Sequence, residues 1–303
     1  MRLAITGART AEPALAWRAR LARVRRIVVT GAGGQLGRAV SAQAPDAVAL
    51  ARAELDITDA DAVRAVLEPG DAVLNCAAYT AVDAAESDEQ AAFARNETGP
   101  AVLAAACTAV GAALIHVSTD YVFDGSATSP YEPGDPTGPT TVYGRSKLAG
   151  ERAVLREAPD AHIVRTAWVY TGDQRDFVAT MRRLEGERET VRVVEDQIGS
   201  PTFAPDLAAG LLELARRGFE GVPSILHATN AGRASWFELA RAVFAGVGAD
   251  PARVLPCTSA EYPSSTPRPA YSVLSNRSWA AAGLTPLRDW RSALDDALAR
   301  LDQ

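Results

Sequence analysis

The sequence is poor in lysine, histidine, cysteine and methionine, and it has no long apolar run. Of its 31 basic side chains only Lys147 is a lysine; the rest are arginines. No stretch approaches the ~20 apolar residues of a membrane-spanning helix, so no membrane partner is expected. The first residues lack the apolar stretch and cleavage pattern of a secretory signal. Cys76, Cys107 and Cys257 are odd in number and lack metal-ligand spacing; they read as reduced thiols of a cytoplasmic protein. His116, His162 and His227 are scattered, and His116 falls in an expected core strand, where a structural role fits. No metal is therefore expected. A net charge of −6 lacks the basic face that a nucleic-acid partner requires.

The scarcity of lysine carries information. Arginine is a rigid, permanently charged fork, whereas lysine is a compact ammonium on a flexible stem. A position that keeps lysine among so many arginines points to a task a guanidinium cannot perform. Lys147 also lies four residues after Tyr143, which puts phenol and ammonium on one face of a helix. A phenol ordinarily titrates near ~10. A neighbouring ammonium favours phenolate and makes the phenol a usable general acid.

At 303 residues the chain is long enough for a dinucleotide-binding domain and a smaller second one. Residues 1–25 do not fit the pattern of the remaining chain, being arginine-rich and acid-poor. Three readings fit them: a start upstream of the native one, a regulatory or targeting arm, or a packed extra helix. The first is preferred, because a Rossmann domain opens with its first strand. From Arg26 the pattern is regular. Strands are expected at 27–30, 47–50, 72–75, 113–117 and 162–166, with a late strand near 225–229. Between them lie a helix over 36–43, one capped by Thr58 or Asp59, a helical pair over 88–109 broken near Gly99-Pro100, and the helix of Tyr143. Buried strands alternating with helices predict an α/β, Rossmann-type, doubly wound parallel sheet. Residues 26–170 are assigned to it, and 171–303 mainly to a smaller C-terminal substrate-binding domain. Segments 121–141 and 256–276 read as loops.

Gly31-Ala32-Gly33-Gly34-Gln35-Leu36-Gly37 follows the first strand and opens a helix. Gly31 permits the turn, Gly34 lets the backbone approach a pyrophosphate, and Gly37 lets helix and strand pack. The anion would sit on the helix N-terminus beside Gln35 and Leu36. Arg52, at the end of the second strand, and Arg38 are placed to meet a ribose 2′-phosphate, which favours NADPH over NADH. Asp56 and Ile57 are expected at the adenine, and Ala77, Ala78 and Tyr79 along the cofactor beyond the third strand. Thr119 or Ser118, at the end of the fourth strand, can hydrogen-bond a carbonyl oxygen as it becomes an alkoxide.

With these residues in place, the chain from Arg26 on resembles the extended short-chain dehydrogenase/reductases, and among them the dTDP-4-dehydrorhamnose reductase family. The resemblance is carried by 30–37, Asn-Cys-Ala-Ala-Tyr-Thr-Ala-Val-Asp at 75–83, 118–123, Val-Tyr-Gly-Arg-Ser-Lys-Leu-Ala-Gly-Glu at 142–151, Arg-Thr-Ala-Trp-Val-Tyr at 165–170 and Asp-Gln-Ile-Gly-Ser-Pro-Thr at 196–202. It implies a catalytic trio of Thr119, Tyr143 and Lys147, with Asn96 shaping a proton relay. It implies that Trp168 lies against the sugar, with a core position at the domain junction as the alternative. Thr80, Asp120, Tyr121, Gln197 and Arg268 would border a nucleotide-sugar pocket. The implied reaction is NADPH-dependent reduction of the C4 keto group of dTDP-4-dehydro-β-L-rhamnose by a monomer or homodimer. Some relatives are magnesium-linked dimers through interface glutamates, but Ala39 stands where one of those is expected, so no metal is carried over. Two other readings remain. A dehydratase or epimerase on the same fold is disfavoured because Tyr121, not an acid, follows Asp120. A non-catalytic regulatory subunit is disfavoured by the intact Tyr143 and Lys147 pair.

Overall fold

A computed structural model describes residues 24–173, 176–262 and 264–301. The arginine-rich stretch 1–23, expected to be an extension, lies outside the described residues. Val24 already packs against the core, and the Arg25 N–H donates to the Gly70 carbonyl at 3.1 Å.

Strands form at β1 (Arg26–Thr30), β2 (Val48–Leu50), β3 (Asp71–Asn75), β4 (Ala113–Thr119), β5 (His162–Thr166), β6 (Val169–Tyr170), β7 (Val191–Val194), β8 (Ile198–Gly199), β9 (Thr202–Phe203), β10 (Ile225–His227), β11 (Ala234–Ser235) and β12 (Val254–Cys257). Six of them make one parallel sheet in the order β10-β5-β4-β3-β1-β2. Successive side chains of a strand point to opposite faces. Val28, Val73, Leu114 and Ile163 thus pack on the helices Ala60–Val66, Gly99–Val110 and Val142–Glu157. Their neighbours Val29, Leu74, Ile115 and Val164 pack on the other face, under Gln35–Gln43 and Ala204–Arg217. Burial on both faces explains why these strands read as apolar runs.

The chain leaves β1 for β2 on one side and returns to β3 on the other. The β1/β3 crevice is therefore the topological switch point, where such sheets bind ligands. The part of the chain beyond 170 divides its loyalty. Sequence pattern assigns only the late strand of this part to the sheet. In fact the helix Ala204–Arg217, with Trp279, Leu284 and Leu287, completes the sheet's own core. A second core joins the helices Phe177–Glu187, Trp236–Gly246 and Trp290–Ala299, around Val178, Phe203, Phe244 and Trp290. Three two-stranded ribbons, β6/β9, β7/β12 and β8/β11, edge this part.

Two local expectations change. The helical pair is not broken at Gly99-Pro100, because the α-helix Gly99–Val110 carries Pro100 in its first turn, where a missing N–H costs little. The irregularity lies just before it, as a π turn at Ala94–Thr98. The segments 121–141 and 256–276 are indeed largely loops, but they clasp each other: Tyr131 N–H donates to Val273 O, and Ser275 N–H to Tyr131 O, both at 2.9 Å. Asp59, not Thr58, caps the helix Ala60–Val66.

Candidate active site

The turn after β1 is built by close approach. Gly31 has φ +70°, and a Cβ there would stand 2.5 Å from the Ala77 nitrogen. A Cβ on Gly37 would stand 2.2 Å from the Gly31 oxygen, so Gly37 packs the helix onto its own turn and does not face the cavity. Gly34 is the N-cap of Gln35–Gln43; no side chain caps this helix and no acid occupies its first turn. Its free N–H groups and dipole suit an anion.

From this turn a cavity of about 1090 Å³ runs over the ends of β1, β3, β4 and β5 into the second core. At the glycine end it is bordered by Gly31, Gly34, Gln35 and Leu36, then by Arg52, Asp56 and Ile57. Ala77 and Ala78 line its floor, whereas Tyr79 does not line it. The Tyr79 backbone is bound by Asn96, and its ring lies under the Arg95 guanidinium at 5.5 Å. Arg95 itself lines the cavity and Arg38 does not, so the cationic end is formed by Arg52 and Arg95. Arg95 escapes a reading of the sequence because its helix is remote from the second strand. The glycine turn, the uncapped helix and the buried, unpartnered Ser118 hydroxyl on the cavity wall fit a bound dinucleotide.

Tyr143 and Lys147 lie in the helix Val142–Glu157, and both line the cavity. The start of this helix is pinned on three sides. The Thr141 hydroxyl accepts from Gly144 N–H at 3.0 Å, Glu86 accepts from Val142 N–H at 2.8 Å, and Gly144 has no room for a Cβ beside the Tyr121 carbonyl. Farther along, Glu151 holds Arg165 of β5 through two hydrogen bonds of 2.9 and 2.7 Å, both side chains being buried. These anchors fix where the phenol points. Burial pushes the Tyr143 phenol well above its ordinary value, and its hydrogen bond with Thr119 pulls it back. The spacing in the sequence predicts that Lys147 dominates and lowers it; in the ligand-free site desolvation is the larger effect.

Thr119 ends β4, donating to Asp120 Oδ1 at 2.9 Å and accepting from Tyr121 N–H at 3.3 Å. Burial raises the Asp120 carboxyl to about 6, opposed by hydrogen bonds from Ser272 and Thr119. The Tyr121 ring meets Tyr143 edge-on at 5.4 Å. Lys147 is buried, and its Nζ donates to the Val117 carbonyl at 2.7 Å. Burial lowers its ammonium to about 8, although Glu151 pulls the other way.

Asn96 does not line the cavity. It sits in the π turn with its amide fully used: Oδ1 accepts from Tyr79 N–H at 2.8 Å, and Nδ2 donates to Tyr79 O at 3.0 Å and Ser146 Oγ at 2.9 Å. It braces the floor of the cavity against the helix that carries Tyr143 and Lys147.

At the far end stand Thr80, Asp120, Tyr121, Gln197, Arg268 and Trp168. Arg268 donates to Asp83 at 2.7 Å, and Gln197 to Ser259 at 2.9 Å. Trp168 is half-buried and has φ +46°, a non-glycine positive φ unmatched among the described residues. Such backbone costs ~1–3 kcal/mol and persists only where packing imposes it. Here Trp236 stacks on the indole at 3.5 Å and 5°, and a Cβ on Gly199 would stand 2.4 Å from it. Trp168 is thus both a cavity wall and a clamped core residue, so the two sequence alternatives merge. Trp236 and Phe177, also on the wall, give no sequence signal because their helices read as ordinary amphipathic ones. Among the described residues no cluster of three potential metal ligands occurs, and no helix is long and apolar enough to cross a membrane.

The chain is similar to known proteins along nearly its whole length. The family described as RmlD substrate binding domain matches residues 25–303. A dTDP-4-dehydrorhamnose reductase of Mycobacterium tuberculosis is 57% identical over 91% of this chain and 93% of its own. The crystal structure of a dTDP-4-dehydrorhamnose reductase from Clostridium acetobutylicum superposes with a TM-score of 0.87 at 38% identity, covering 92% of this chain and 100% of that one. The dTDP-4-dehydrorhamnose reductase of Bacillus anthracis, in complex with NADP, gives 0.85 at 34% identity, covering 91% and 99%.

Proposed function

Because the chain belongs to the dTDP-4-dehydrorhamnose reductase (RmlD) family, we propose that it reduces the C4 keto group of dTDP-4-dehydro-β-L-rhamnose to give dTDP-L-rhamnose. It is an NAD(P)H-dependent oxidoreductase. NADPH is the preferred form in this reading, since Arg52 and Arg95 supply two cations at the adenosine end of the cavity. When bound, the cofactor supplies the hydride that adds to the carbonyl carbon. The observation that carries the proposal is that Tyr143, Lys147 and Thr119 line the same cavity as the glycine turn and Trp168.

Tyr143 gives its phenolic proton to the carbonyl oxygen as the negative charge grows there, so one hydride and one proton make the alcohol. Thr119, whose hydroxyl donates to Asp120 in the ligand-free site, turns that one proton to the carbonyl oxygen and so holds it in line with the phenol. Lys147 lies one helical turn from Tyr143, placed to hold the nicotinamide ribose and to restore the phenol's proton. Asn96 keeps the helix registered on the floor of the cavity. Trp168 offers the sugar a wide apolar wall, and Arg268 and Gln197 supply polar contacts farther out.

The experiment is to follow NADPH oxidation with a panel of 4-keto nucleotide sugars. The expected result is turnover with dTDP-4-dehydro-β-L-rhamnose, reduced by ~10²-fold or more in Tyr143→Phe. A protein that binds NADPH yet reduces none of the panel contradicts the proposal.

A further inference from the structure

The proposed chemistry gives the buried His116 no task. His116 lies in β4 directly before Val117, fully enclosed, with Nδ1 at 2.9 Å from Asn75 Nδ2 and Nε2 at 3.5 Å from Lys147 Nζ. Hydrogen-bond accounting decides which ring nitrogen carries the proton. The oxygen of the Asn75 amide accepts from Thr30 Oγ1 at 2.8 Å and from the Ala77 backbone N–H at 3.1 Å. A backbone N–H can only donate, so that end of the amide is the oxygen and the end facing His116 is the NH2. His116 Nδ1 must then accept, and the ring proton sits on Nε2. The ring stays neutral, because burial and the nearby lysine push its basicity well below the ordinary histidine value. An N–H donor therefore points at Nζ. That nitrogen already donates to the Val117 carbonyl at 2.7 Å. As an ammonium it meets His116 donor against donor; as an amine it has a lone pair to receive the N–H.

We infer that His116 is a positioning residue for Lys147: the buried chain Thr30, Asn75, His116 presents an N–H to Nζ, seats the lysine beneath the cavity and favours its amine over its ammonium. This rests on the role given to Lys147 in the proposed reaction. The other groups facing Nζ leave His116 as the polar group that opposes the charge. Glu151, on the same helix, favours the ammonium, but its carboxylate is shared with Arg165 of β5. Cys76, at the end of β3, is held as a neutral thiol, pushed up to about 12 by burial. Tyr143 is likewise neutral, its phenol raised by burial. Burial lowers the lysine ammonium to about 8, and an N–H facing Nζ acts in the same direction. Each reduction takes up one proton from solvent, and a lysine poised there can exchange one at neutral pH, as an ordinary lysine does poorly.

The sequence makes the test direct. Lys147 is the single lysine of the chain, so protein grown with isotope-labelled lysine gives one side-chain signal, whose titration by NMR reads this residue without any turnover. In His116→Gln the amide can turn its oxygen toward the ammonium. The midpoint should rise by about one pH unit, and the basic limb of the kcat profile should move with it. Ring-nitrogen shifts of His116 in the unmodified protein should report the Nε2–H tautomer, a reading that needs no variant to fold. A ring protonated on Nδ1 overturns the inference, as does an unmoved lysine midpoint in folded His116→Gln. Failure of the reductase proposal would look different: no turnover of 4-keto sugars, while the lysine midpoint still rises in His116→Gln.

Discussion

Gly150 of the helix Val142–Glu157 rests on the backbone carbonyl of Asn96, so closely that a Cβ would stand 1.9 Å from that oxygen. Pro100, four residues beyond Asn96, has no N–H to offer the carbonyl, and the π turn at Ala94–Thr98 bends the chain to meet the helix. Asn96 then reaches both Tyr79 and Ser146 with its amide. Gly150→Ala should force the helix off this seat. We expect a loss of ~1–3 kcal/mol in chemical denaturation, with kcat falling more than the KM for cofactor. A variant of unchanged stability and kcat would show that the contact is not tight in solution.

Lys147→Arg should be nearly as damaging as Lys147→Ala. Arginine preserves the charge but is wider, and a guanidinium fork cannot reproduce the single close contact of Nζ with the Val117 carbonyl. Misplacement of the phenol one turn away can cost ~10²-fold in rate. Steady-state kinetics beside Tyr143→Phe check this, and near-normal turnover of Lys147→Arg would return the lone lysine to accident.

Cofactor choice should follow Arg52 and Arg95, which line the cavity. Arg52→Asp and Arg95→Ala should each raise the KM for NADPH several-fold and leave that for NADH nearly unchanged. Equal efficiency with both cofactors before and after substitution would remove these arginines from the 2′-phosphate.

Trp236→Ala should act on the sugar through Trp168. Without its stacked partner, the indole at φ +46° loses the packing that holds it there. The KM for nucleotide sugar should rise while NADPH affinity, measured by fluorescence titration, stays the same. A parallel loss of both would mean that the substitution disturbs the whole second core.

The buried lysine should be visible in the pH dependence of stability. Its ammonium is lowered from 10.5 to about 8 by burial. Between these values the unfolded chain binds more protons than the folded one, so this group's contribution makes stability rise with pH across that window. Below it the cost is fully present, roughly 3 kcal/mol. Lys147→Met should therefore be more stable than the parent at pH 7, with an advantage that fades as pH climbs through the window. Denaturation curves giving a constant difference at all pH values would refute this.

Much of the molecule was legible in residue order. β1 to β5, their helices, the glycine turn and the pair Tyr143 and Lys147 all announce themselves through local rules: apolar runs buried on both faces, a turn that only glycine allows, and spacing of one helical turn. The lone lysine did so by composition. Other features depend on residues far apart in sequence. Arg95 reaches the cationic end only because the sheet crosses over, and Asn96 turns out to be a brace because a π turn and Gly150 bring two helices together. Trp168 is clamped by Trp236 and Gly199, which no period in the sequence connects. The six-stranded sheet was decided by hydrophobic pattern, since burial on two faces leaves few alternatives. The walls of the cavity, and the partner of His116 that sets its tautomer, were decided by packing, which no single segment encodes.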